Sequence, residues 1–206
     1  MTRGIFITFE GIEGCGKTTQ VELLRNYLAG LGHKVVVTRE PGGCFIGEKI
    51  RDILLDPENR GMTALTELLL YEASRAQHVA DVIGPALARG EIVISDRFYD
   101  ASTAYQGHAR GLGADKVERL NLTATGGLRP DLTIVLDLEA SEGLRRLGQD
   151  LDRIESEAVD FHEKVRNGYI EIARSDPERV RVVGSAGAVE ATAAEIKRIV
   201  DEFLPQ

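Results

Sequence analysis

The segment Gly11-Ile12-Glu13-Gly14-Cys15-Gly16-Lys17-Thr18 fits the pattern G-x-x-x-x-G-K-[ST], between an apolar run and a stretch of helical periodicity. Glycines at this spacing let successive backbone N–H groups converge on phosphate oxygens, and the start of the following helix adds the positive end of its dipole. Lys17 is placed to reach β- and γ-phosphates, and the Thr18 hydroxyl to ligate Mg²⁺. The nucleotide-binding set is therefore expected to run from Gly11 through Thr18 and on to Thr19. A glycine-rich turn without a ligand is the competing reading, and the correct strand and helix flanks argue against it.

Two more clusters close apolar runs. "IVISDRFY" ends in Asp96 and Arg97, an acid that can hold Mg²⁺ through water and a guanidinium that can take a phosphate bidentately. A salt bridge at a helix start is the alternative for this pair. A motor ATPase usually follows its strand-end acid with a second acid, whereas here an arginine follows, which points to transfer rather than hydrolysis. "TREPGG" places Arg39 after another run, and Pro41, Gly42 and Gly43 make its loop tight. Lys17, Arg39 and Arg97 together form an anion clamp larger than one triphosphate needs. Tyr71 and Arg75 lie four apart on one helical face, where they either stack on and bond to a base or serve core packing. His78 and His108 have no metal-ligand spacing with the cysteines.

These clusters must be positioned by the elements between them. Runs rich in β-branched residues at 5–9, 34–38, 91–95, 132–138 and 180–184 are continuous rather than alternating, as in strands buried on both faces. Helical patterns at 17–31, 63–89, 114–125, 154–175 and 188–204 fill the intervals. The alternation predicts an α/β fold: five parallel strands, helices on both faces, and ligands at the carboxyl ends of the strands. No repeat or linker divides the 206 residues, so one domain is expected, with a polar flap or lid at about 145–157.

Composition bounds the partners. A net charge of −8 argues against broad nucleic-acid or membrane-surface binding. Cys15 and Cys44 are the only cysteines and do not suggest a disulfide framework; with no signal-like or membrane-length apolar run, a cytoplasmic protein is expected.

Taken together, "FEGIEGCGKTTQ", "TREPGG", "TELLLYEASRAQHV", "DRFYDASTAYQG", "RPDLTIVLDL" and "DRIE" resemble, in order, the bacterial thymidylate kinase family from about residue 4 to 169. The resemblance implies a P-loop kinase fold, usually homodimeric, that phosphorylates dTMP to dTDP with ATP and Mg²⁺. It implies that Lys17 and Thr18 hold ATP phosphates and metal, that Asp96 assists the metal, and that Arg97 assists the phosphates. Arg39 would clamp the dTMP phosphate and Glu13 would meet the acceptor near its sugar. Tyr71 stands where the family stacks an aromatic on thymine, and Arg75 where an arginine faces the base. Ser102, Tyr105 and Gln106 match the family's S-x-x-Y-Q segment, with Tyr105 beside C2′ of the sugar. Cys44 replaces the usual threonine, and Gly148 falls where a lid arginine is expected. Arg146 and Arg153 remain for transfer, and the sequence favours Arg153 because it directly precedes a helix. The rival readings are another deoxynucleotide kinase and a catalytically weak nucleotide-binding regulator; turnover across a panel of monophosphates separates them.

Overall fold

The computed structural model describes residues 3–148 and 151–204. Its strands are β1 (Phe6–Glu10), β2 (Val35–Arg39), β3 (Ile92–Asp96), β4 (Leu132–Asp137) and β5 (Val180–Gly184), each within one residue of expectation. They form one parallel sheet in the order β2-β3-β1-β4-β5. The three central strands β3, β1 and β4 are almost wholly buried, whereas the edges β2 and β5 are partly exposed, which explains why the apolar runs at the centre do not alternate.

Both faces carry helices. Ile7 and Phe9 of β1 point into a core shared with Leu24 and Leu28 of α1 (Lys17–Gly30), Val165 and Tyr169 of α8 (Val159–Ser175), and Ile196 and Val200 of α9 (Val189–Phe203). The period of two sends Phe6 to the opposite face, where it meets Val93, Ile83, Leu87 and Phe98. The expected helix at 63–89 is realised as α3 (Ala64–His78), a π-turn at Val79–Ile83 and α4 (Gly84–Ala88). Pro85, which has no N–H, follows the widened turn. Among the described residues, no helix is long and apolar enough to cross a membrane.

Four helices were not anticipated or begin elsewhere. α2 (Phe45–Leu55) follows the tight loop, capped by Cys44, whose sulfur accepts from the Gly47 N–H at 3.4 Å. α5 (Tyr99–Ser102) runs into a π-turn at Thr103–Ala109, and α7 (Ala140–Arg145) precedes the expected lid. α8 begins at Val159, not 154, because Asp152 Oδ1 caps the N–H groups of Ile154 and Glu155 in a separate turn. α6 (Ala114–Thr125) lies as expected. Of the lid positions, Gln149 and Asp150 lie outside the described residues.

Candidate active site

The glycine loop leaves β1 and enters α1 through Gly11, Gly14 and Gly16 at φ 133°, 71° and 95°, values that side-chain-bearing residues rarely adopt. A Cβ on Gly14 would lie 2.1 Å from the Gly143 carbonyl oxygen, so the loop is seated directly on the α7 backbone. A Cβ on Gly16 would meet nothing within 4 Å, so the space above the helix start is open. α1 has neither a side-chain cap nor an acidic residue in its first turn, and its leading N–H groups face that space. Gly16, Thr18 and Thr19 are exposed there; Ile12 and Cys15 turn into the core. Lys17 Nζ folds back to the Gly11 and Ile12 carbonyls at 3.2 and 2.9 Å, and the Thr18 hydroxyl lies 3.4 Å from Asp96 Oδ2. This donor set fits a magnesium triphosphate. The Thr18 hydroxyl and the Asp96 carboxylate are oxygen donors of the kind that would hold Mg²⁺ beside phosphate and water.

The strand order brings the three cations together. β2, β3 and β1 are neighbours, so Arg39 and Arg97 at the ends of β2 and β3, and Lys17 at the start of α1 beyond the loop that leaves β1, line one cleft of about 290 Å³. Asp96, Glu13, Gly14 and Thr18 line it too, as do Tyr71, Ser102, Tyr105 and Gln106. Arg39 pairs with Glu48 at the half-exposed mouth. Arg97 donates to the Gly11 carbonyl at 2.8 Å and to Glu13 at 2.9 Å, and its guanidinium lies over the Tyr105 ring, 5.0 Å from the centroid. Glu13 also accepts from the Tyr105 hydroxyl at 2.6 Å and lies 3.0 Å from His162 Nδ1. Burial pushes the Glu13 carboxyl up, but Arg97, the His162 bond and Lys17 outweigh it and hold Glu13 well below the usual carboxylate range. It is an anion.

The far wall differs from expectation at Arg75. Tyr71 faces the cleft, but Arg75 is buried beneath it with all five N–H groups engaged. Nε bonds Glu40, Nη1 bonds Glu72 and Asn121, and Nη2 bonds the Phe98 carbonyl and the Ser102 hydroxyl. A base carbonyl reaches Arg75 only by displacing one of these. Gln106 donates to Glu67 at 2.8 Å, and its buried Oε1 has no partner.

The two lid arginines are placed differently from one another. Arg153 is buried, donating from Nε to the Leu54 carbonyl at 2.7 Å and from Nη1 to Glu67 at 2.6 Å, and it does not line the cleft. The Glu67 carboxylate, shared with Arg110, and the end of α2 draw it inward. Arg146 instead reaches the glycine loop, 3.4 Å from the Gly14 carbonyl, while pairing with Glu142. Three further residues escaped the sequence reading. Arg51 lines the cleft from α2 and bonds the Pro41 carbonyl at 2.9 Å, and the amphipathic spacing of 45–55 was the signal available for it. His162 and Glu10 carry no local signal, because their partners are distant in sequence.

The chain matches the family model described as "Thymidylate kinase" over residues 9–196. It is 53% identical to the thymidylate kinase of Geobacter sp. (strain M21), covering 92% of this chain and 88% of that relative. It is 50% identical to that of Pelobacter propionicus, covering 98% and 96%. The crystal structure of thymidylate kinase from Ehrlichia chaffeensis superposes with a TM-score of 0.80 at 33% identity, over 97% of this chain and 99% of the other. With a phosphate-binding loop, three cations lining one cleft and a family match across nearly its whole length, the chain belongs to the thymidylate kinase family.

Proposed function

We propose that this chain phosphorylates dTMP to dTDP with Mg·ATP, binding donor and acceptor at opposite ends of one cleft. The observation that carries the reading is the convergence of Lys17, Arg97 and Arg39 on a cleft whose wall also bears Tyr71 and Tyr105. ATP supplies the transferable phosphoryl group, and the loop N–H groups, Lys17, Thr18 and Asp96 would hold it with its metal. Arg39, joined by Arg51, holds the acceptor phosphate at the mouth. Tyr71 takes the face of the thymine ring, and the unpartnered Gln106 Oε1 is a ready acceptor for the base N3–H. Tyr105, fixed by Glu13, closes the space where a 2′-hydroxyl would sit.

Chemistry of this kind needs alignment and cations more than it needs a base, because the transition state is loose and its charge lies on the equatorial oxygens. Arg97 stands between the two phosphate sites and is oriented by Glu13. Arg146 is the lid arginine that serves transfer, and segment 145–157 acts as the lid that excludes water. Two further readings concern the setting. A second copy packs on the apolar face of α2 and α3, and the two free cysteines suit the cytoplasm.

The test is a coupled assay across dTMP, dUMP, UMP, dCMP and dGMP with ATP. Turnover is expected to rank dTMP over dUMP and both over UMP; binding of nucleotide without turnover of any monophosphate would overturn the assignment.

A further inference from the structure

We propose that Glu10 is a positioning residue for phosphoryl transfer, holding both the backbone that mounts Arg97 and, through the Tyr169 hydroxyl, the Arg97 guanidinium. The proposal rests on reading Arg97 as a phosphate-contacting arginine. Arg97 is the only non-glycine residue with positive φ among the described residues, at 70°. That conformation is costly for an L-residue and persists only where the surroundings over-determine it. Here they do. The Arg97 N–H donates to the Phe9 carbonyl at 2.8 Å and its carbonyl accepts from the Ser95 hydroxyl at 2.7 Å. The next N–H, of Phe98, donates to Glu10 Oε1 at 2.7 Å.

The other oxygen of the same carboxyl works on the side chain. Glu10 Oε2 accepts from the Tyr169 hydroxyl at 2.8 Å, and that hydroxyl accepts from Arg97 Nη1 at 3.2 Å. Glu10 and Tyr169 are fully buried, and neither lines the cleft, so neither touches substrate. One carboxyl thus ties the last residue of β1, the strained turn after β3 and α8 to a single guanidinium.

The protonation state of Glu10 matters to this arrangement. The charged and titratable groups facing it are Tyr169 from α8, and Arg97 and Asp100 from the segment after β3, with Asp100 paired to Arg179. Burial pushes Glu10 up to about 8, and Asp100 adds to the rise, while Arg97 and the bonds from Tyr169 and Phe98 oppose it. When Glu10 is ionised both its oxygens accept, the phenol hydrogen is committed to it, and the phenol oxygen is free for Arg97. When it is protonated, its own hydrogen competes for that phenol oxygen.

The experiment compares Tyr169→Phe, which keeps the ring, and Glu10→Gln, which keeps the volume, with the parent. It measures kcat, KM for dTMP and the pH profile of kcat. Expected are a kcat lowered at least about tenfold in each variant with KM little changed. The parent kcat should rise through an ionisation on the alkaline side of neutrality, distinct from the phosphate ionisation near about pH 6, and Glu10→Gln should lack it. In an Arg97→Lys background, Tyr169→Phe should add no further loss. Parent-like kcat in Tyr169→Phe, or the same ionisation in Glu10→Gln, would overturn the proposal. If Arg97→Lys alone keeps parent activity, the reading of Arg97 fails and takes this inference with it. If Arg97→Lys is inactive while the other variants are not, this inference alone fails. Should Glu10→Gln not fold, Tyr169→Phe and the double variant decide.

Discussion

At the scale of single residues, Arg146 and Arg153 show how little a local reading says about a long side chain. Arg153 is favoured for transfer in the sequence by its position directly before a helix. Its actual partner, Glu67, lies 86 positions away, and no spacing rule in one sequence reveals such a pair. Arg153→Ala should therefore lower thermal stability, since breaking a buried ion pair costs about 3–5 kcal/mol. Arg146→Ala should lower kcat by a factor of at least about 100 with dTMP binding little changed. Melting curves, kcat and calorimetric dTMP binding for both variants check this, and loss of kcat without loss of stability in Arg153→Ala would restore the original assignment. Tyr105 sharpens in the same way. The family resemblance implies a ring that excludes a 2′-hydroxyl, and the Tyr105 hydroxyl bond to Glu13 fixes that ring's position. Tyr105→Ala should admit UMP, and Tyr105→Phe should keep most discrimination while lowering kcat, because Glu13 then orients Arg97 with one fewer bond. Turnover ratios of dTMP to UMP measure it.

Elements were more legible than the contacts between them. The central strands announce themselves because burial on both faces demands unbroken apolar runs, and the glycine loop because its chemistry tolerates few substitutes. α2 was missed because it begins directly after a glycine loop, and its face is only partly buried. Phe45, Ile46 and Ile53 are exposed on α2, and Leu65 and Leu69 lie exposed one helical turn apart on the adjoining α3. Phe45 is 76% exposed and Leu69 49%, an apolar surface that a lone globule has little reason to keep. If the proposed second copy packs on this face, the parent should sediment as a dimer and the double variant Leu65→Asp, Leu69→Asp as a monomer; a monomeric parent would overturn that reading. Since Tyr71 and Glu67 share α3 with this face, the double variant's KM for dTMP should rise as well. A dimeric double variant would remove this face as the contact between copies.

For the molecule as a whole, Glu10, Glu13 and Glu67 pull the dependence of stability on pH in opposite directions. Glu10 sits at about 8 in the folded chain against an ordinary 4.5, so the stability it contributes is complete below about 4.5 and is lost as pH rises toward 8. Glu13 and Glu67 are held below the ordinary value, in each case against burial. For Glu13 the opposing groups are Arg97 and His162, and for Glu67 they are Arg110 and Gln106. Their contribution is present above about 4.5 and is lost as pH falls below it. Melting temperature should therefore peak on the acid side of neutrality. Glu10→Gln should flatten the alkaline limb and Glu67→Gln the acid limb, and melting curves from pH 4 to 9 test both. The strand order carries a consequence of another kind. Because only β3 lies between them, the carboxyl end of β1, where the glycine loop begins, and the end of β2, which is Arg39, are separated by two interstrand spacings, about 10 Å. Hydrogen bonding between strands fixes that interval, and no side-chain adjustment can alter it. The sheet is thus a ruler between the glycine loop and Arg39: with donor and acceptor held there as proposed, dTDP, one phosphate longer, should overrun the mark, and ATP consumption with dTDP as the acceptor would overturn that expectation.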